Sequence, residues 1–355
     1  MTYWNIQLKR CSVLLIIAAL AGCGFIAVQT AAPKRASVAR TEAAVKADQL
    51  FWETFHRGDY ANIGATAEVL KQAYQADPSD AVTAAHIAWM HKWRLGERAR
   101  LDRVPATITD DAMLARRYFQ EALNLNPHEA RYQGFLASSM LAEGSIHKDE
   151  KLTRLGYFTL LESIDAWPEF NLFTAGYVTG NEPRGSKNFN QALEWQWQNL
   201  AVCVGEKLNR ADPNYAKYMA LDTKEGKKRV CWNSWISPHN LEGFFLNLGD
   251  MLVKSGDWQT AQKVYANAKI QPSYGQWKFR DVLERRIASA QSNVEIFNLC
   301  GSDSPWLATK GISVWVFDTP QLAAGLFIAA QPSADKMHQR MMFNSPFNCM
   351  ACHQE

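Results

Sequence analysis

The stretch FLNLGDMLVKSGDWQTAQKVYANAKIQP, residues 245–272, decides how the fold is read. Phe245, Leu248, Gly249 and Leu252 fall at spacings of three and four, and so do Trp258, Ala261, Tyr265 and Ala268, with Gly256 between the two sets and Pro272 at the end. That spacing puts each set on one face of a helix. A small residue where two helices cross lets their backbones approach. An aromatic four residues later fills the groove on the same face, and proline stops the second helix.

These offsets resemble the tetratricopeptide repeat, in which each unit is a pair of antiparallel helices. The closing proline departs from that pattern by one residue. Three further stretches match only the second helix: Leu70, Ala73 and Pro78; Ala115, Phe119, Ala122 and Pro127; Gly156, Leu160, Ser163 and Pro168. The closing prolines are unevenly spaced, so insertions are required. Leu101–Ile108, Gly180–Lys187 and Asp212–Lys228 carry the turn-forming composition of such insertions, and Ala192–Leu208 reads as a helix with Trp195, Trp197 and Leu200. The resemblance implies an all-α fold, a tetratricopeptide-like helical repeat array (solenoid) over residues 45–298, with a concave face of the kind that binds peptides or proteins. At helical spacing the tryptophans Trp52, Trp89 and Trp93 read as filler between helices. Glu53, Glu121 and Glu194 read as solvated faces.

The chain ends on Cys349-Met350-Ala351-Cys352-His353, followed by Gln354 and Glu355. C-x-x-C-H is the pattern of c-type haem attachment: two thiols add across the porphyrin vinyl groups, and the adjacent imidazole coordinates iron. A zinc site would need a fourth ligand beside this set. One motif implies one covalently bound haem c. It disfavours a dihaem peroxidase or multihaem reductase.

At the other end, Lys9 and Arg10 precede an apolar run, Ser12–Ala21, that is shorter than the roughly 20 residues a membrane-spanning helix needs. The order of a basic start, an apolar run and a small-residue site is that of an export signal. Leu20-Ala21-Gly22-Cys23 resembles the lipobox of bacterial lipoproteins. The resemblance implies a signal peptide over residues 1–22, lipidation of Cys23, and a tether over 23–44 to a membrane surface. Gly24 is not Asp, which by the same resemblance favours the outer membrane facing the periplasm. Three acyl chains hold stably where one would be marginal. Export and haem attachment agree with each other, because bacteria attach haem c outside the cytoplasmic membrane.

Of seven cysteines, Cys203, Cys231 and Cys300 remain after the signal peptide, the lipid and the haem are assigned. At most one pair can form among three. Cys203 with Cys231 is favoured, since both flank one charged stretch. Lys and Arg total 38 against 35 Asp and Glu, and no basic stripe interleaved with aromatics suggests nucleic acid. The run Lys224–Arg229 reads as a solvated loop, with docking of an acidic redox partner as its alternative.

Residues 299–355 form the haem-bearing segment. Gly311–Phe317 is expected as a short strand, and Pro320–Ala330 and Ala334–Phe343 as helices. The motif sits at the end of this segment, whereas the small cytochrome c domain carries it near the start. The haem must therefore rest on residues 301–347, on the repeat body or on another subunit. Met337, His338, Met341 and Met342 are the candidates for the second axial ligand, with His239 a distant one. If the division holds, the body should stay folded without the tail, because repeat stability is mainly nearest-neighbour. No Ser-His-Asp set, phosphate loop or paired-carboxylate site can be assembled. The expected function is electron transfer to a redox partner protein by a lipid-anchored carrier rather than an enzyme; a repeat scaffold with structural or sensory haem is the alternative.

Overall fold

The computed structural model describes residues 26–37, 39–216, 223, 225–299 and 340–355. The chain divides into Met1–Ala36 and Ser37–Glu355. In the first unit residues 26–29 form a helical turn, closed by Thr30, whose N–H and hydroxyl both donate to the Ile26 carbonyl at 2.8 Å. The second unit is all-helical, and no strand occurs among the described residues. No helix among them is long and apolar enough to cross a membrane.

Among the described residues of the second unit thirteen α-helices follow: α1 Glu42–His56, α2 Ile63–Ala76, α3 Ala81–Gly96, α4 Ile108–Leu125, α5 Ala130–His147, α6 Glu150–Ala166, α7 Pro168–Thr179, α8 Lys187–Val204, α9 Asn240–Ser255, α10 Trp258–Ala266, α11 Arg280–Ala288, α12 Ala290–Leu299 and α13 Met350–His353. From α1 to α8 each helix packs on the next in sequence, and α9 packs on α10 and α12. Capping side chains set several starts. Thr41, Asp80, Ser186 and Asp257 accept N–H groups of the first turns of α1, α3, α8 and α10.

The four proline-terminated helices of the sequence reading are α2, α4, α6 and α10. Leu70, Ala73, Ala115, Phe119, Ala122, Leu160 and Ser163 are all buried. Close approach explains the small residues. A Cβ at Gly249 would lie 2.1 Å from the Tyr265 ring, and one at Gly156 would lie 2.9 Å from Met140 Cβ. α9 ends at Gly256, held at φ +100°, a left-handed geometry that suits glycine. α10 is shorter than its periodicity suggests: it stops at Ala266, and 3-10 turns carry the chain past Pro272. α8 runs from Lys187 to Val204 rather than from Ala192 to Leu208, because Ser186 caps its start and Gly205, at φ +80°, closes its end. The chain is already bonded into the unit before α1: Ser37 donates to the Asp77 carboxylate and Arg40 pairs with Asp80.

The expected strand at Gly311–Phe317, the helix at Pro320–Ala330, and Cys23, Cys300, Met337 and His338 lie outside the described residues. Of the helix expected over Ala334–Phe343, the described part is not α-helical. Met342–Asn344 forms a 3-10 turn, and the Met342 N–H donates to the Asp250 carboxylate at 2.7 Å instead of to a carbonyl one turn back. Met341, Met342, Phe347, Met350, Ala351 and Cys352 all belong to the main core cluster, and α13 packs on both α1 and α9. A nearest-neighbour argument therefore does not cover this segment, which joins helices far apart in the chain.

Candidate functional site

Cys349, Cys352 and His353 stand on the single turn α13, and the body fastens that turn from every side. The buried carboxylate of Glu97, at the end of α3, accepts the Cys349 and Met350 N–H groups, both at 2.9 Å. Its other oxygen accepts from Trp93 Nε1 at 2.9 Å and Arg100 Nε at 2.8 Å. A carboxylate over the exposed N–H groups of a helix start matches charge to donors. Burial nevertheless pushes the Glu97 pKa up. Asn348 donates to Gly96 O, Trp277 Nε1 to Ala351 O, and the His239 N–H to Cys352 O, all within 3.0 Å. After the motif, the Glu355 N–H donates to His56 O.

Glycine at position 243 of α9 makes the seat for Cys352. A Cβ there would stand 2.2 Å from Cys352 Sγ and 3.3 Å from the backbone of Ala351 and Cys352. Gly243→Ala should therefore displace the turn, costing about 1–3 kcal/mol of stability by overpacking. Denaturation midpoints check this; a variant as stable as wild type would remove Gly243 from the argument.

The orientation of His353 follows from one bond. Its Nδ1 lies 2.9 Å from Ile236 O. A carbonyl only accepts, so Nδ1 carries the proton and Nε2 presents its lone pair, the arrangement of a metal-ligating histidine. Burial lowers the His353 pKa to about 4, which keeps the ring neutral at ordinary pH. Burial also raises both thiols, Cys352 to about 12 and Cys349 well above the usual range. Neither thiol is in a disulfide. Cys203 and Cys231 do form one, with Cα atoms 5.7 Å apart.

A wall of aromatic rings faces this turn. Phe55 of α1 is 4.9 Å from the His353 ring and Trp89 of α3 is 6.0 Å from it. From Trp89 the contacts pass to Phe135 of α5 at 4.5 Å and to Phe170 of α7 at 5.3 Å, while Phe173 of α7 meets Phe244 of α9 at 5.9 Å. The contributors are the odd-numbered helices. Phe170, Phe173 and Phe244 also line a cavity with Leu241 and Trp232. Lys92, Tyr177, Cys349 and His353 are half-buried. The residues present thus fit a covalently held porphyrin: thiols free of disulfides, a presented imidazole nitrogen, and apolar rings of which Phe55 is buried and Trp89, Phe135 and Phe170 are half-buried.

Met341 and Met342 are packed in the core beside α9. His239 is buried with Nδ1 3.1 Å from the Glu242 carboxylate. Trp93 is core filler, as its spacing suggests, but Trp89 is half-buried and part of the aromatic wall. Sequence reasoning passed over Lys92. Its signal was a charged residue between two tryptophans on an otherwise apolar face. The basic run before Cys231 rests on α6 and α7: Arg229 lies over the Trp167 ring at 4.4 Å, and Lys227 Nζ donates to Ala166 O. Among the described residues no group of three or more His, Cys, Asp or Glu side chains is placed to hold a metal ion. The chain matches no protein-family profile, no curated protein and no solved structure.

Proposed function

We propose that this chain is a lipid-anchored monohaem c-type cytochrome that carries electrons to or from a redox partner protein. The observation that carries the reading is the bond from His353 Nδ1 to Ile236 O, which leaves Nε2 to present its lone pair in a motif whose two thiols form no disulfide. Cys349 and Cys352 would hold the porphyrin by thioethers and His353 would ligate its iron. A haem so held supplies a one-electron couple. The protein's own part is to fix the imidazole through Ile236, to keep it neutral by burial, and to exclude water from the ring faces with Phe55, Trp89, Phe135 and Phe170. The helix hairpins are read as a tetratricopeptide-like superhelix whose odd-numbered helices line the inner face, with α13 bridging its first and ninth helices. Trp235, a largely exposed ring 4.9 Å from Trp52, precedes the residue that holds His353, which supports approach of a partner on that side. Cys23 is read as the lipidated residue and the outer membrane as its destination.

The test is expression of the full chain with haem-maturation machinery. Haem should survive acid-acetone extraction, because thioethers rather than axial bonds retain it, and should oxidise and reduce reversibly. Cys349→Ser with Cys352→Ser should give a folded protein with no covalent haem. A wild-type chain that never holds haem, or loses it on extraction, sinks the proposal; haem that cannot be reduced and reoxidised leaves the scaffold reading. Cys23→Ser should move the protein from the detergent to the aqueous fraction, since the remaining tether has too little apolar surface to hold it. Wild-type protein already in the aqueous fraction would overturn the anchor.

A further inference from the structure

We propose that the side-chain amine of Lys92 is the second axial ligand of the haem iron, across the ring from His353. The inference rests on the haem reading above. Lys92 extends from α3 three residues after Trp89, hence on the same helical face, and Trp89 is the α3 residue whose ring adjoins His353 at 6.0 Å. Its Nζ donates to Ser138 Oγ at 2.8 Å, one turn along α5 from Phe135 of the aromatic wall. No carboxylate among the described residues pairs with it, and the ionisable group that acts on it electrostatically is the Cys349 thiol.

A half-buried ammonium whose hydrogen-bond partner is a hydroxyl rather than a carboxylate is costly. Ligation removes the cost: the ammonium gives a proton to solvent, and the nitrogen lone pair goes to iron. The neighbour decides between iron and the other group a lysine could meet. Cys349 would carry a thioether at the edge of haem c opposite the propionates, so the electrostatic interaction of Lys92 with Cys349 favours iron over those carboxylates.

Other donors are engaged elsewhere. His86 pairs with Asp48, His91 with Asp111 and His239 with Glu242. His56 meets the Ile236 carbonyl, on the Nδ1 side of His353 and so behind it. The Tyr177 hydroxyl donates to Asn348 O, and burial raises its pKa, which disfavours the phenolate a metal would bind. Met341 and Met342 are core residues.

The test compares full-length wild type with Lys92→Leu and Lys92→Arg, made with haem-maturation machinery, by haem content and by ferric spin state. Wild type should be low-spin. Both variants should keep the wild-type haem content but lose the low-spin spectrum and bind added imidazole. The arginine variant keeps the charge and a donor for Ser138, so it separates ligation from mere structure and serves if the leucine variant does not fold. A high-spin wild type overturns the proposal, and so does a variant with an unchanged low-spin spectrum, which would point to Met337 or His338. A wild type without haem fails at the haem reading itself and takes this proposal with it.

Discussion

A chain ending at Gln339 is expected to lose its cooperative helical fold and not merely its haem motif. The deleted residues place Met341, Met342, Phe347 and Met350 in the main core, each 7% exposed or less. Full burial of such a side chain stabilises by about 1.5–3 kcal/mol, so the four together contribute on the order of 6–12 kcal/mol. A whole domain is typically stable by about 5–15 kcal/mol. The deletion also strips the N–H donors from the buried Glu97 carboxylate, the acceptor from Trp277 Nε1, and the Met342 N–H from Asp250. Thermal unfolding followed by circular dichroism reads the outcome. A truncated chain that melts at the wild-type temperature would mean the tail is an appendage.

Asp250→Ala should be the most damaging single substitution, costing about 3–5 kcal/mol. Asp250 is fully buried on α9, where one carboxylate oxygen lies 2.9 Å from Arg286 Nε and accepts from the Tyr265 hydroxyl at 2.6 Å, while the other accepts the Met342 N–H. Arg286, itself 1% exposed, would lose this carboxylate in the interior. Removing one partner of such a pair costs far more than the pair contributes, because the desolvation of the survivor is no longer offset. Asp250→Ala with Arg286→Leu should recover much of the loss, since an apolar residue of similar size replaces the buried ion that has lost this carboxylate. Urea denaturation of the two variants measures the difference. If the double variant is no more stable than the single one, the broken Asp250–Arg286 pair is not the cause.

The network around Asp250 was not legible in the chain. Asp250, Tyr265, Arg286 and Met342 lie far apart in sequence, and each alone reads as an ordinary helical position. Gly249 and Tyr265 were legible, because an i, i+4 pattern with a small residue at the crossing is local information and the packing requires it. The prolines after α2, α4 and α6 were legible for the same reason: a proline cannot continue the helix that precedes it, though Pro168 itself begins α7. Helix ends set by capping side chains were misplaced. Ser186 and Gly205 fix α8 through hydrogen bonding and backbone conformation rather than through apolar periodicity.

What the sequence determined by itself is what neighbouring residues impose on one another: helices from spacing, breaks from proline, and the C-x-x-C-H motif, in which two thiols and an imidazole are adjacent by covalent order. What only the tertiary structure decided is which groups converge on that motif. The carbonyl of Ile236 sets the tautomer of His353, Phe55, Trp89, Phe135 and Phe170 build a wall from four helices, and Lys92 of α3 acts electrostatically on Cys349. The physical reason is range. Helix periodicity acts over a few residues of chain, while burial, desolvation and hydrogen bonding act across space, between residues whose meeting is settled only when the core closes.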